Sequence, residues 1–311
     1  MREESIPLQR RLLRFCHVFF AIFLLIQFLP DKARGDAHSN YALVFITVME
    51  VLTLLMSVCI KKEQSFNLFV DIIGFVYILL ISWTLLTAKW NLLKASFFPP
   101  PGVVFEAAIQ DRRVILVNIK TSLGIVAQGY LVALVLAIPL GLFLGWSLRL
   151  GNAATYISKF LSSIPPVVYI PYGIALLPTF RSVSVMVIFL ASFWPALAGT
   201  MSGVFHVEKQ ILDSARSLNL NRVSLLFHII LPASMPQIFI GCNQGLSVSF
   251  ILLTSAEMIG ARSGLGYYVK NFSDLGDYTR IILGVLVIGM VVTVMVFFFN
   301  KLQRYLLRWK R

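Results

Sequence analysis

Long apolar runs alternate with short polar breaks along the whole chain, and this rhythm sets the first structural expectation. The runs occupy about 15–29, 41–60, 67–88, 121–148, 158–178, 183–205, 236–259 and 281–300. A helix of about 20 apolar residues crosses the hydrocarbon core of a bilayer. The pattern therefore predicts an all-α, polytopic membrane helix bundle with about eight transmembrane helices. Trp83 and Trp90, near the end of the third run, suit the interface belt. The fifth run is interrupted by Pro165, Pro166 and Pro171. Broken helices at membrane depth are tolerated where they face protein or a cavity. Gly141 and Gly145 lie four apart in the fourth run, the spacing of a close helix contact. The longer connector 89–120 holds Pro99-Pro100-Pro101-Gly102, a rigid turn, then a short amphipathic piece from Val103 to Val117.

The segment 208–232, EKQILDSARSLNLNRVSLLFHIILP, is the longest polar-studded piece in the last two thirds of the chain. Ile211, Ala215 and Leu218 recur at i, i+4 and i+7, with Lys209, Asp213 and Arg216 on other faces. This spacing predicts a short amphipathic helix. A second helical run, Val223 to Ile230, is expected to stop at Leu231-Pro232, because proline disfavours helix in the residue before it. A helix–break–helix element of this length exceeds a simple turn between spans.

Composition agrees with the pattern. Of 311 residues, 58% are hydrophobic and 13% charged, against about 25% charged in soluble domains. The net charge of +13 comes from basic residues in short loops and at both ends, which points to membrane topology rather than to nucleic acid. With the N-terminus inside, 16 of the 27 Lys and Arg fall on the inner side and 11 on the outer. That excess puts both termini and 208–232 in the cytoplasm. The first apolar run lacks an A-x-A-like cleavage site and reads as an anchor. Cys16, Cys59 and Cys242 sit within or at the edges of apolar runs and read as buried thiols. His17, His38, His206 and His228 show no metal-ligand spacing. The sequence holds no G-x-x-x-x-G-K-[ST] phosphate loop, no H-E-x-x-H and no Ser-His-Asp pattern, so no enzyme, metal or catalytic residue is expected.

Polar residues inside the runs are the remaining candidates. Asn243, Ser247, Thr254 and Glu257 fall near one face of the seventh run, with Gln244 beside them. They are pathway candidates, as are Pro165 and Pro166 in the broken run. Interhelical hydrogen bonding is the plainer reading for Ser247 and Thr254. A carboxylate in the path of an anion would repel it, so Glu257 is a poor anion ligand. Glu50 and Asp71 lie inside the second and third runs and read as protonated or paired groups, or as a proton relay.

Asp213-Ser214-Ala215-Arg216-Ser217-Leu218, followed by Phe227, Ile230 and Leu231-Pro232, resembles the coupling-loop signature of ABC-transporter permease subunits. Asp213 stands for the family's Glu, and Ser214 and Ala215 for its two alanines. Asn219 stands where the family has Gly, and Asn is the next residue to Gly in tolerating a left-handed conformation. Ile138-Pro139-Leu140-Gly141 with Gly145, Ser163-Ile164-Pro165-Pro166, and Ala256-Glu257-Met258 with Ser263-Gly264-Leu265-Gly266-Tyr267 resemble the nitrate/taurine/aliphatic-sulfonate importer branch. The resemblance covers roughly 95–300.

This resemblance implies a six-span importer permease core over 67–311 and an additional amino-terminal membrane segment over 1–66 that does not match. Deleting 1–60 is then expected to leave a folded core. The coupling loop would span 206–235. The chain would be a permease subunit of the bacterial or archaeal inner membrane and half of a homodimer. Its partners would be ABC ATPase subunits and an extracytoplasmic substrate-binding protein docked on 89–120 and 260–280. It would bind no cofactor itself, ATP belonging to the ATPase. Asp213 and Arg216 would contact that partner. The alternative is a secondary transporter driven by an ion gradient through Glu50, Asp71 and Glu257. It lacks the related halves such proteins often show and leaves 208–232 without a role. A membrane scaffold would leave the broken run unexplained.

Overall fold

The computed structural model describes residues 14–32, 39–60, 63–218 and 220–310. Its elements are helical, with no strand among the described residues. In chain order the main helices are α1 (Phe15–Gln27), α2 (Ser39–Cys59), α3 (Glu63–Thr84), α4 (Pro101–Gln110), α5 (Arg112–Trp146) and α6 (Leu148–Ser163). Then follow α7 (Ile170–Leu176), α8 (Phe180–Phe205), α9 (Lys209–Ser217), α10 (Leu231–Gly260), α11 (Leu265–Asp274) and α12 (Tyr278–Leu306).

Among the described residues, six helical stretches are long and apolar enough to cross a bilayer: Asn40–Ser57, Phe66–Lys89, Arg112–Trp146, Phe180–Phe205, Arg222–Gly260 and Tyr278–Leu306. The other two expected spans are shorter apolar helices. Phe15–Gln27 has 13 residues, about 20 Å at 1.5 Å per residue. Pro166–Leu176 is the remnant of the broken run.

Three boundaries differ from the expected ones. The connector 89–120 is largely helical, because α5 begins at Arg112 and runs 35 residues to Trp146. Residues 148–163 form a helix of their own, whose N-cap Ser147 accepts from the Leu150 N–H. The break then falls at Ile164-Pro165 and is followed by a 3₁₀ turn, Pro166–Tyr169. Finally, Leu231-Pro232 does not end a helix. Residues Leu225–Ile230 wind as a π-helix and lead straight into α10. The wider turn accommodates a proline that has no N–H to give and would crowd a regular α-turn.

The chain divides into two compact units. The first comprises 1–113 and 272–283. Its core joins Cys16 and Phe23 of α1, Ala42 and Ile46 of α2, and Phe66, Val70, Tyr77 and Leu80 of α3. Phe45 stacks on Phe105 of α4 with ring centroids 3.9 Å apart. Arg280 donates from Nε to Asp111 and from Nη1 to Asp277, at 2.7 and 2.6 Å.

The second unit comprises 114–271 and 284–311. Its most extensive helix contact is α8 against α10. Small residues allow it: a Cβ at Gly199 would stand 2.8 Å from Gly241 Cα, and one at Gly203 would stand 2.8 Å from the Ser234 carbonyl. Ser192 and Ser249 bridge the same two helices at 2.6 Å. Without a hydrophobic force between helices in lipid, such close packing and interhelical hydrogen bonds hold the pair. Gly141 of α5 meets Thr200 of α8 in the same way, and Gly145 meets Val204.

Candidate functional site

Three places in the second unit gather the polar residues. The first is α9. Leu212 packs beside Leu142, Val204, Val207 and Ile230, and Ala215 is 3% exposed. Ile211 and Leu218 instead point outward, at 39% and 72% exposure. The buried face is therefore Leu212 and Ala215, not Ile211, Ala215 and Leu218 as their spacing suggests. Asp213 and Ser214 lie on the exposed side, with the Ser214 hydroxyl donating to the Gln210 carbonyl. The backbone of Arg216 belongs to α9; its side chain and Asn219 lie outside the described residues. After the helix, Leu220, Val223 and Phe227 are exposed as well, while Leu231 is half-buried against the cluster that holds Leu212.

The second place is a cavity of about 410 Å³ between α6, α8 and α10. Gln244 and Pro166 line it, together with Ser158, Lys159, Ser162, Trp194 and Gln237. Gln237 and Gln244 are seven residues apart, two turns on one helix face. That spacing was available in the sequence and went unread, as did Ser158 and Ser162 at i and i+4. The remaining candidates lie elsewhere. Asn243 donates to the Asn300 side chain of α12 at 3.3 Å. Ser247 and Thr254 donate to backbone carbonyls of their own helix, Asn243 and Ile251. Pro165 caps the 3₁₀ turn.

The third place surrounds Glu257, which is 1% exposed. Its Oε1 accepts from the Ser122 hydroxyl and its Oε2 from the Gly266 N–H, both at 2.7 Å. Ser122 Oγ accepts from the Leu265 N–H at 2.9 Å, and Asn118 Oδ1 accepts from the Gly264 N–H at 2.8 Å. Gly264 has φ +127, and a Cβ there would overlap the Glu257 carboxylate. The carboxylate thus pins the loop after α10 onto α5.

The chain's sequence relationships agree with this architecture. Residues 137–311 match the family described as binding-protein-dependent transport system inner membrane component. The chain belongs to that family. Among its relatives is a chain of Brucella abortus (strain 2308) named a probable ABC transporter permease protein. It is 31% identical over 240 residues, 74% of this chain and 94% of that protein. The nitrate import permease protein NrtB of Leptolyngbya laminosa is 30% identical over 174 residues, 56% of this chain and 62% of its own. The taurine transport system permease protein TauC of Escherichia coli (strain K12) is 27% identical over 245 residues, 76% and 88% of the two chains. This ABC permease is therefore a membrane transport component of the nitrate/taurine importer branch, not an enzyme.

Within the first unit, Glu50 is paired, as one of the two sequence readings had it. His17 Nδ1 contacts its Oε1, and the Tyr77 hydroxyl donates to its Oε2 at 2.6 Å.

Proposed function

We propose that the chain forms the translocation pathway of an ATP-driven importer for a small anionic solute. Two copies pair in the membrane, ATP is bound and hydrolysed by separate ATPase subunits, and a binding protein delivers the solute from the outside. The termini and α9 face the cytoplasm. The observation that carries this reading is the divided surface around α9. Leu212 packs against the ends of α5 and α8 and the π-turn, and Ala215 is buried, while Ile211, Leu218, Leu220, Val223 and Phe227 are exposed. Exposed apolar side chains on a segment whose sequence also carries Asp213 and Arg216 suit a protein partner. Movement of that partner reaches α10 without a flexible joint, because Arg222–Gly260 is one continuous helical stretch.

In this reading Gln237, Gln244, Ser162 and Lys159 face the solute in the 410 Å³ cavity. Asn243, Ser247 and Thr254 hold the bundle, and Glu257 shapes the loop beyond it. The substrates named for the nitrate and taurine relatives supply the solute class, and a lysine without a carboxylate among the cavity's lining residues agrees with it.

Mild-detergent purification of the tagged chain from its host membrane tests the proposal. A P-loop ATPase in one-to-one ratio is the expected companion. A homo-oligomer without an ATPase, under conditions where other ABC complexes survive, would overturn it and favour the ion-driven alternative. Arg216→Glu is expected to lower both solute uptake and transport-coupled ATP hydrolysis at normal membrane levels. Uptake equal to wild type would remove Arg216 from the docking surface.

A further inference from the structure

A second cavity, of about 710 Å³, opens at the other end of α8 from α9. Its walls come from the first turn of α8 (Phe180, Arg181, Ser184), from Pro178 and Thr179 before it, from Thr121 and Ile125 of α5, and from the loop Gly260–Ser263. Two arginines, Arg181 and Arg262, line it, and no carboxylate does. Four hydroxyls, of Thr121, Thr179, Ser184 and Ser263, complete the polar lining. Thr179 caps α8 by accepting from the Ser182 N–H at 3.2 Å. Both arginines are exposed, and neither forms an ion pair within the described residues.

Arg262 sits on a braced segment. It lies between the end of α10 and Gly264, on the loop that Glu257, Ser122 and Asn118 fix by buried hydrogen bonds of 2.7–2.9 Å. The acid that would repel an anion is turned away into that clamp, on the same loop whose Arg262 lines the cavity together with Arg181 of α8. Guanidinium groups present several donors to oxygen anions, whereas the Thr121 and Ser184 hydroxyls already donate to the Val117 and Phe180 carbonyls. A cleft lined by one sign of charge also raises the local concentration of its counter-ion.

We infer that this cavity is an oxyanion-receiving vestibule, in which Arg181 and Arg262 take a small sulfonate, nitrate or carboxylate-type anion before it enters the bundle. This rests on the permease reading and names the mouth and the charge selectivity of its pathway. Glu257 braces the segment after Arg262 and does not line the cavity.

The test uses the full chain in its complex, in nanodiscs, with Ser263→Cys as a reporter and the chain without that cysteine as background. The probes are methanethiosulfonate reagents of matched size, one bearing a sulfonate and one a trimethylammonium. The sulfonate reagent is expected to label the reporter faster, on the order of tenfold, after correction for the two reagents' rates with a free thiol. Arg181→Gln with Arg262→Gln is expected to abolish that preference. Millimolar nitrate or taurine at constant ionic strength is expected to slow the sulfonate reagent. Equal labelling rates, or a preference that survives the double substitution, would overturn the inference. A preference that neither nitrate nor taurine reduces would also overturn it, since it would report a field without a binding site. Co-purification of the ATPase is scored separately, so a permease that lacks this vestibule is distinguished from a protein that is no ATP-driven permease.

Discussion

Gly264 and Gly276 separate two effects of a glycine. Both have positive φ, +127 and +70. At Gly276 nothing lies within 4 Å of an added Cβ, whereas at Gly264 the Glu257 carboxylate occupies its place. Gly276→Ala is therefore expected to cost only the left-handed backbone, about 1 kcal/mol. Gly264→Ala adds displacement of a carboxylate whose oxygens hold Ser122 and Gly266, for about 3 kcal/mol in all. Thermal unfolding of the two purified variants, followed by size-exclusion chromatography, checks the order. A midpoint for Gly264→Ala equal to that of Gly276→Ala would mean that the clamp yields at little cost. Gly264 and Gly266 were visible in the sequence as part of a motif with Glu257, but the partner of Glu257 was not. Ser122 lies 135 positions away, and periodicity carries no information about such a pairing.

At the scale of the element, α9 shows what a pattern can and cannot say. Its existence and position were legible, since polar and apolar residues alternate at helical spacing. Its buried face was not. Ile211, Ala215 and Leu218 and the pair Leu212 and Ala215 are both acceptable stripes, and the choice depends on where the ends of α5 and α8 lie. The helix boundaries at Arg112 and Leu148 were missed for a related reason: a helix continues past the apolar run that marks a membrane crossing, and composition marks only the crossing. Leu212→Ser is expected to destabilise the protein by about 2 kcal/mol through lost burial. Ile211→Ser with Leu218→Ser is expected to leave the unfolding midpoint unchanged and to weaken retention of the ATPase. Loss of stability in the double variant would show that the outer face of α9 is covered by the chain itself.

For the whole molecule, the amino-terminal segment is the part whose status the two kinds of information treat differently. By resemblance it is an addition outside 67–311, and the family match begins at 137. By packing, α1 and α2 share one buried cluster with α3. Polar groups bind them further. Glu50 takes the Tyr77 hydroxyl and the His17 ring. The π-turn Leu85–Lys89 at the end of α3 turns Lys89 inward, where it is 3% exposed. Its Nζ pairs with Asp31 at 2.7 Å and donates to the carbonyls of Leu29 and Gln27, at 2.6 and 3.2 Å. All three partners lie before residue 60. Deleting 1–60 would strip them together and uncover Phe66, Val70, Tyr77 and Leu80. Breaking a buried pair by removing one partner costs about 3–5 kcal/mol. The shortened chain is therefore expected to reach the membrane in much lower folded yield, contrary to the clean excision that the resemblance suggests. Lys89→Met in the shortened chain removes the orphaned charge and is expected to recover part of that yield. Detergent-soluble monodisperse protein, measured by fluorescence-detected chromatography, reads both outcomes. Wild-type yield of the shortened chain would mean that α1 and α2 rest on α3 without supporting it. A low yield that Lys89→Met leaves unchanged would place the loss in the apolar cluster rather than in the ion pair.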